Sequence, residues 1–306
     1  MAWRDYREVK VKPSGFPKTK PRYSLTSDIL SFRRCPRQYG FFGVRGYVPA
    51  HRVQLFYGTV IHEVLDRAHH HYGGFEDPKT QGKVPTDEDI LSYYNEVEKS
   101  LKARGVRAIN RDLKDRAQQV LKRFNRIEGP RLYPRVIDTE HRVQGDRETH
   151  IIDGVIDVLV DAETGSRDPS QVEIWDYKGA RQPDEAHSEE LDSYKYQMLV
   201  YAALYKIRNG CLPKRAVLYF MNELDNDSLT TTPNRAVYSI DLASADIDRA
   251  LREFDQTARL IGKCKEANKW DPPPTSKLPT IEDTCAICDL RWSCSSFGKE
   301  KQMPYP

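Results

Sequence analysis

The chain has 306 residues, of which 39% are hydrophobic and 30% are charged, and its formal net charge is +3. This length suffices for one large domain or two small ones, and so small a net charge does not by itself indicate a partner. No apolar run reaches the length of a membrane-spanning helix, and the N-terminus, MAWRDYREVK, is charged from its fourth residue. We therefore expect a cytoplasmic protein with no membrane partner.

The first 22 residues carry seven basic residues and three prolines, with almost no apolar pattern. This composition predicts a flexible basic arm over residues 1–22, followed by a single domain over residues 23–306. In the segment that begins at Tyr23, Ser27 is a candidate helix cap, and Cys35-Pro36 ends the short apolar stripe.

A helix is predicted from about Gly58 or Thr59, and it places His62 and Asp66 on one face. A lone helical histidine is more often a packed or solvated residue than a ligand. We single out His62 as a candidate ligand and expect the run His69 to His71 to lie at the surface.

Residues 74–135 read as a helical insertion, with a long helical pattern from about Glu88 to Arg126 that Gly105 interrupts. Between Lys102 and Arg135 there are eleven basic residues and three acidic ones. Such an excess fits a surface that follows nucleic-acid phosphates, and it fits a solvated helix surface equally well.

Three strands are predicted at the centre of the chain, over residues 136–144, 151–160 and 172–177. The first carries Glu140, whose role stays open. If the other two pair as antiparallel strands, Asp157 and Asp176 meet at one end of the sheet and Lys178 faces the same side as Asp176. Paired carboxylates there would hold a hard divalent cation. The alternative is two ordinary strand-end carboxylates with Lys178 as their ion partner.

The rest of the chain alternates helices and strands, with helices over about 188–208 and 244–268 and strands over 215–221 and 235–241. The first of these helices sets Gln197 and Tyr201 one turn apart on one face. Either residue fits an ordinary helix or the support of a site. The whole pattern predicts an α/β fold.

Three of the six cysteines form the cluster Cys285, Cys288 and Cys294, with C-x2-C-x5-C spacing. Packing does not explain this spacing, whereas structural zinc and iron-sulfur clusters both use four thiolates. Cys35 is the best candidate for the fourth ligand because it ends a helix in an aromatic-rich segment. Such a site would join the two ends of the domain, and its loss should destabilise the fold.

Taken together, the sequence resembles a RecB-like nuclease of the PD-(D/E)xK superfamily, in the branch that carries an iron-sulfur cluster. That branch includes the CRISPR-associated exonuclease of the Cas-four type and the nuclease domain of AddB. The resemblance covers roughly residues 23–297 and rests on six elements in the family's order. They are Cys35-Pro36, Gly58 to His62, Gly154 to Asp157, Asp176 to Lys178, Gln197 to Tyr201, and the three C-terminal cysteines.

The resemblance implies a restriction-endonuclease-like fold, in which helices flank a mixed central sheet and a [4Fe-4S] cluster joins the N- and C-terminal parts. It also implies roles. His62, Asp157, Asp176 and the carbonyl of Tyr177 would bind Mg²⁺ or Mn²⁺. Lys178 would orient or activate the attacking water, and Gln197 and Tyr201 would contact the nucleic acid or brace the site. The cluster ligands would be Cys35, Cys285, Cys288 and Cys294.

The function that follows is a metal-dependent DNA exonuclease acting on single-stranded ends, in CRISPR adaptation, DNA repair or antiviral defence. No G-x-x-x-x-G-K-[ST] phosphate-binding loop is present in the sequence, so a helicase would be a separate partner, as would a CRISPR integrase. The alternative is a catalytically weak module that binds DNA ends or recruits such a partner. The intact set of His62, Asp157, Asp176 and Lys178 argues against that alternative.

Overall fold

The structure is a computed structural model that describes residues 19–47, 53–166, 168–273, 284–285 and 288–297. Most of the predicted basic arm, residues 1–18, lies outside the described residues. None of the described helices is both long enough and apolar enough to cross a membrane.

Among the described residues, six strands form one sheet, in which β2 pairs beside β3 and the other strands follow the order β1-β3-β4-β5-β6. Their bounds are β1 Arg22–Ser24, β2 Val136–Asp146, β3 Ile151–Asp161, β4 Val172–Lys178, β5 Arg215–Phe220 and β6 Val237–Ile240. The sheet is mixed, since β1 with β3 and β4 with β5 are parallel pairs and the remaining pairs are antiparallel. The predicted mixed sheet with flanking helices is confirmed.

In the part of the chain that the structure describes, eight α-helical segments accompany the sheet. They are α1 Ser31–Arg34, α2 Pro36–Gln38, α3 Val53–Gly73, α4 Asp87–Ala103, α5 Arg111–Ile127, α6 Gly129–Leu132, α7 Ser188–Asn209 and α8 Ser244–Ala267. Two π-helical stretches, Leu25–Leu30 and Tyr39–Val44, flank the short helices α1 and α2. The break between α4 and α5 contains Gly105 at a φ of 76°, a backbone conformation that glycine adopts without strain.

The long strand β3 uses its two edges differently. Along one edge it pairs with β2 from Ile151 to Val160. The other edge pairs with β1 over Ile151 to Asp153 and with β4 only from Val158 to Asp161. Since each strand has only two edges, a short open stretch of β3 remains between β1 and β4.

Hydrophobic cores lie on both faces of the sheet, and β5 shows the division most clearly. Ala216, Leu218 and Phe220 join the core with α7 and α8, whereas Val217 and Tyr219 join the core with α3, α4 and α5. Alternate residues of a strand point to opposite faces, so a strand between two helical layers is buried throughout. This packing fixes the central strands that carry the candidate site.

Some predicted boundaries differ from the structure. Ser24, not Ser27, caps the first helical turn, because its side chain accepts a hydrogen bond from the Ser27 backbone N–H. Helix α3 begins at Val53, earlier than predicted, and β1 begins at Arg22, one residue inside the predicted arm. The predicted insertion holds α4, α5 and α6, and its buried residues share one core with Tyr177 and Tyr219 of the sheet.

Candidate active site

Asp157 and Asp176 lie where β3 and β4 separate. The pairing of these two strands runs as far as Val158 opposite Trp175, one residue short of both aspartates. The Asp157 carboxylate accepts a 2.8 Å hydrogen bond from the backbone N–H of Tyr177, and this bond ties the two diverging strands together. The two carboxylates therefore meet at one fork of the sheet, as the strand pattern predicts.

His62 reaches the same fork from helix α3, where its Nδ1 atom lies 3.2 Å from an Asp157 carboxylate oxygen. Burial alone would lower the pKa of His62, but the charge and hydrogen bond of Asp157 outweigh it and raise the pKa to about 9. Burial would raise the pKa of Asp157, and His62 and Lys178 together hold it below its usual value. At neutral pH His62 is therefore a protonated imidazolium that pairs with the ionised Asp157 carboxylate. A bound metal cation would take the place of the proton on His62.

Lys178 and Asp176 form the second half of the site. The Lys178 ammonium lies 2.6 Å from Asp176 Oδ2 and donates a 2.8 Å hydrogen bond to Gln197 Oε1 on α7. Burial, followed by the neighbouring Asp157 charge, raises the pKa of Asp176 to about 6 although Lys178 opposes the shift. The pKa of Asp176 therefore lies close to neutral pH, where its carboxyl group can gain or lose a proton.

Gln197 and Tyr201 brace these groups from α7. The Gln197 amide donates to Asp176 Oδ1 at 2.8 Å and to the Tyr201 hydroxyl at 3.2 Å. Both side chains are buried, which favours bracing over direct contact with nucleic acid. A side chain at Gly154 would collide with the Tyr201 ring, at 2.9 Å from its Cε1 atom, so this glycine allows α7 to approach β3.

Glu140 is the residue whose importance the sequence left open. The pairing of Thr139 with Val158 and of His141 with Ile156 places Glu140 opposite Asp157. One ligand atom from each of His62, Glu140 and Asp157 lies within 4.8 Å of the others. Glu140 also has a φ of 48°, a strained value for a residue with a side chain, and such strain concentrates at functional sites. Sequence alone could not find it, because its position depends on the register of β2.

The surface position expected for His69 is wrong. His69 is buried, and its Nε2 atom lies 3.0 Å from the Tyr177 hydroxyl. Burial lowers the pKa of His69 to about 3, so the ring stays neutral. Because Tyr177 lies between Asp176 and Lys178, His69 supports the strand of the site from the opposite face of the sheet. His69 follows His62 by seven residues, or two helical turns, so the two histidines lie on the same side of α3. This spacing was the signal in the sequence that His69 also faces the sheet.

The donor set fits a hard divalent cation. It offers carboxylates from Asp157, Asp176 and Glu140 together with the His62 imidazole, and oxygen ligands of this kind suit Mg²⁺ or Mn²⁺. Asp176 Oδ2 is buried and pairs with the Lys178 ammonium at 2.6 Å, so a metal at this oxygen would share it with Lys178. The position of the Tyr177 carbonyl as a further ligand stays a prediction.

Lys178 also lines a cleft of about 1670 Å³. The walls come from α1, from the start of α3, from α5 and from the N-terminal half of α7, with α8 and β6 at the far side. Of the fork residues, Lys178 and its hydrogen-bond partner Gln197 line this cleft, so a large substrate in the cleft can reach the ammonium.

The four cysteines predicted as a cluster lie close enough for their charges to interact. Burial, followed by the charges of Cys35, Cys288 and Cys294, raises the pKa of Cys285 to about 11. Burial also raises the pKa of Cys35, against backbone hydrogen bonds from Gln38 and Arg37 that lower it. Thiols whose charges interact repel one another when ionised, and a bound metal or cluster would remove that repulsion.

Comparisons with known proteins found one family and similar solved structures. The model of the PD-(D/E)XK nuclease superfamily matches residues 26–295. A crystal structure from Eubacterium rectale, provisionally named an exonuclease, shares 12% identity and a TM-score of 0.50, covering 87% of this chain and 85% of that one. The structure of SSO0001 shares 14% identity, covering 88% of this chain and 97% of that one, with a TM-score of 0.31. No curated protein sequence matches the chain.

Proposed function

This chain belongs to the PD-(D/E)XK nuclease superfamily, and we propose that it is a metal-dependent deoxyribonuclease that removes nucleotides from single-stranded ends. The observation that carries the proposal is the fork itself. One imidazole, three carboxylates and one ammonium converge there from α3, β2, β3 and β4, and Lys178 faces the cleft.

The chain's residues divide the work of phosphodiester hydrolysis. A divalent cation bound by His62, Asp157 and Asp176 would supply an activated water and neutralise charge on the scissile phosphate. Lys178 places a fixed ammonium beside that phosphate, where it stabilises the charge that grows in the transition state. Gln197 forms hydrogen bonds with both Lys178 and Asp176 and fixes their relative positions. The ammonium is therefore already ordered before the reaction begins.

The test is degradation of a fluorescently labelled single-stranded oligonucleotide with Mn²⁺, comparing the wild type with Lys178→Met. We expect the variant to lose about 10²- to 10³-fold in kcat, as for removal of one charge-stabilising group elsewhere. Lys206→Met, which removes an exposed lysine near the C-terminal end of α7 and away from the cleft, is the matched control. Equal degradation by the wild type and Lys178→Met would remove the catalytic proposal.

We propose further that Cys35, Cys285, Cys288 and Cys294 hold a [4Fe-4S] cluster. Support comes from the charge interactions among the four thiols and from the backbone amides that point at Cys35, a feature that tunes cluster sulfurs. None of the six cysteines forms a disulfide in the described structure, so each thiol stays available to a metal or cluster. Protein purified without oxygen should be brown and contain iron and sulfide. A colourless protein that releases zinc would contradict this assignment.

We place the enzyme in CRISPR adaptation, DNA repair or antiviral defence, where DNA ends must be trimmed. A helicase or an integrase that exposes or receives those ends would be its partner. Pull-down of the tagged protein from its own cells, followed by identification of co-purifying ATPases or integrases, tests this placement. Recovery of neither class would argue against it.

A further inference from the structure

Aromatic rings and cations lie side by side along the cleft that Lys178 lines. The Lys178 ammonium lies 4.6 Å from the centre of the Tyr194 ring, and Lys195 lies 5.5 Å from that of Tyr238. Both tyrosines line the cleft and are only half-buried, so part of each ring faces the cleft. A third cation, Arg33, lies 4.2 Å over the ring of buried Tyr196.

Among the described residues, each lysine or arginine that lines the cleft pairs with an acid, with one exception. Arg33 pairs with Glu253, Lys195 with Asp192, and Arg249 with Asp246. Arg34 is exposed, lines the same cleft and forms no ion pair within the described part of the chain. It lies close enough to Tyr194 for its charge to act on the phenol. Its guanidinium is therefore available to an anion.

An unpaired nucleic-acid strand matches this arrangement, because it presents base faces and phosphates alternately. Its bases stack on aromatic rings, and its phosphates bind neighbouring cations. In a duplex the base faces are covered by their neighbours in the stack, so a duplex could not use Tyr194 as a stacking platform.

We propose that the cleft holds a single DNA strand, with Tyr194 stacked on the base beside the reacting phosphate and Arg34 bound to an adjacent phosphate. This inference rests on the proposed function and adds the residues that select the unpaired form. Tyr194 lies beside Lys178 and within reach of the Arg34 charge, so the base it holds sets which phosphate reaches the ammonium.

Binding measured by fluorescence anisotropy in Ca²⁺ tests the stacking, with the DNA checked for integrity afterwards. The probes are an oligothymidylate, an all-abasic strand of the same length that lacks every base, and the matching duplex. We expect the wild type to bind the abasic strand about tenfold more weakly than the oligothymidylate. Tyr194→Leu should lose the same factor on the oligothymidylate and nothing more on the abasic strand. Tyr194→Phe, which keeps the ring, should bind like the wild type.

The phosphate contact of Arg34 has its own readout. Arg34→Gln should reduce the slope of log affinity against log salt by about 0.7, the contribution of one contact on a single strand. Arg208→Gln removes an exposed arginine from the opposite end of α7 and should leave the slope unchanged.

Equal affinity of the wild type for duplex and single strand would overturn the inference, as would a Tyr194→Leu protein that still discriminates the abasic strand. The melting temperature of each variant shows that it is folded. Absence of Mn²⁺-dependent hydrolysis with intact strand binding would reject the proposed function alone. Hydrolysis without the Tyr194 and Arg34 effects would reject only the inference.

Discussion

The fork of the sheet and the cysteine site are the two proposed metal-binding regions, yet the protein builds them in opposite ways. The residues of the fork lie on β2, β3, β4 and α3, and these elements are packed in cores on both faces of the sheet. The cysteines lie in short segments at the two ends of the domain, which contact each other through Arg37 with Ser293 and Gln38 with Thr284. The fold therefore positions the residues of the first site, whereas a metal or cluster bound at the second site would secure the fold.

The largest effect that this comparison predicts is on stability. Cys285→Ala should lose visible absorption and lower the free energy of unfolding by more than about 3 kcal/mol, because an unclosed site no longer joins the chain ends. Anaerobic urea unfolding measures the change. Cys211→Ala, which removes a thiol outside the site, should change it by less than about 0.5 kcal/mol. Similar losses in both variants would mean that the cysteines carry no structural metal.

At the fork, we expect metal affinity rather than folding to respond, and pH to control it. A cation needs ionised Asp176 and neutral His62, but their pKa values are raised to about 6 and about 9. Protons therefore compete with the metal, and affinity for Mn²⁺ should rise about tenfold per pH unit between 6 and 9, and more steeply below 6.

Calorimetry in two buffers of different ionisation enthalpy counts the protons that the metal displaces. His62→Asn should abolish proton release above pH 6, and pH-independent affinity in the wild type would contradict the linkage.

The raised pKa values of Asp176 and His62 also predict how the stability of the metal-free protein depends on pH. Both pKa values are higher than in the unfolded chain, so the metal-free fold should lose stability as the pH rises through about 6 and again through about 9.

Glu140 tests whether the fork extends to β2. Glu140→Gln should weaken Mn²⁺ affinity about tenfold and leave kcat nearly unchanged at saturating metal, since the amide keeps the size of the side chain but removes its charge. Asp138→Asn is the matched control, because that carboxylate lies on the same strand and pairs with His141. Equal metal affinities in the two variants would exclude Glu140 from the site.

Local sequence patterns predicted what depends on local structure. The strands with Asp157, Asp176 and Lys178 could be predicted because alternation and turn residues are properties of neighbours in sequence. The eleven basic residues between Lys102 and Arg135 show the limit. Nine of them form ion pairs, mostly with acids from other elements, such as Arg123 with Asp227 and Arg135 with Glu173. A local charge excess could not reveal these partners, and the structure favours the solvated helix surface.

The positions of Glu140 and His69 were not predicted from the sequence, for related reasons. The place of Glu140 follows from the pairing of β2 with β3, which a single strand pattern does not specify. The burial of His69 follows from the packing of α3 against the sheet. In a run of three histidines near a helix end, the run alone does not show which histidine faces inward. Both residues contribute through tertiary contacts alone.

The smallest predicted effect concerns this support behind the fork. His69→Leu should lower the free energy of unfolding by about 1 kcal/mol, because the buried Tyr177 hydroxyl loses its partner. Adding Tyr177→Phe removes the stranded hydroxyl, so the double variant should be less destabilised than the sum of the two single changes. Urea unfolding of the four proteins completes the cycle. Additive losses would show that the two side chains do not act as a pair, and that the strand of Asp176 and Lys178 is held by packing alone.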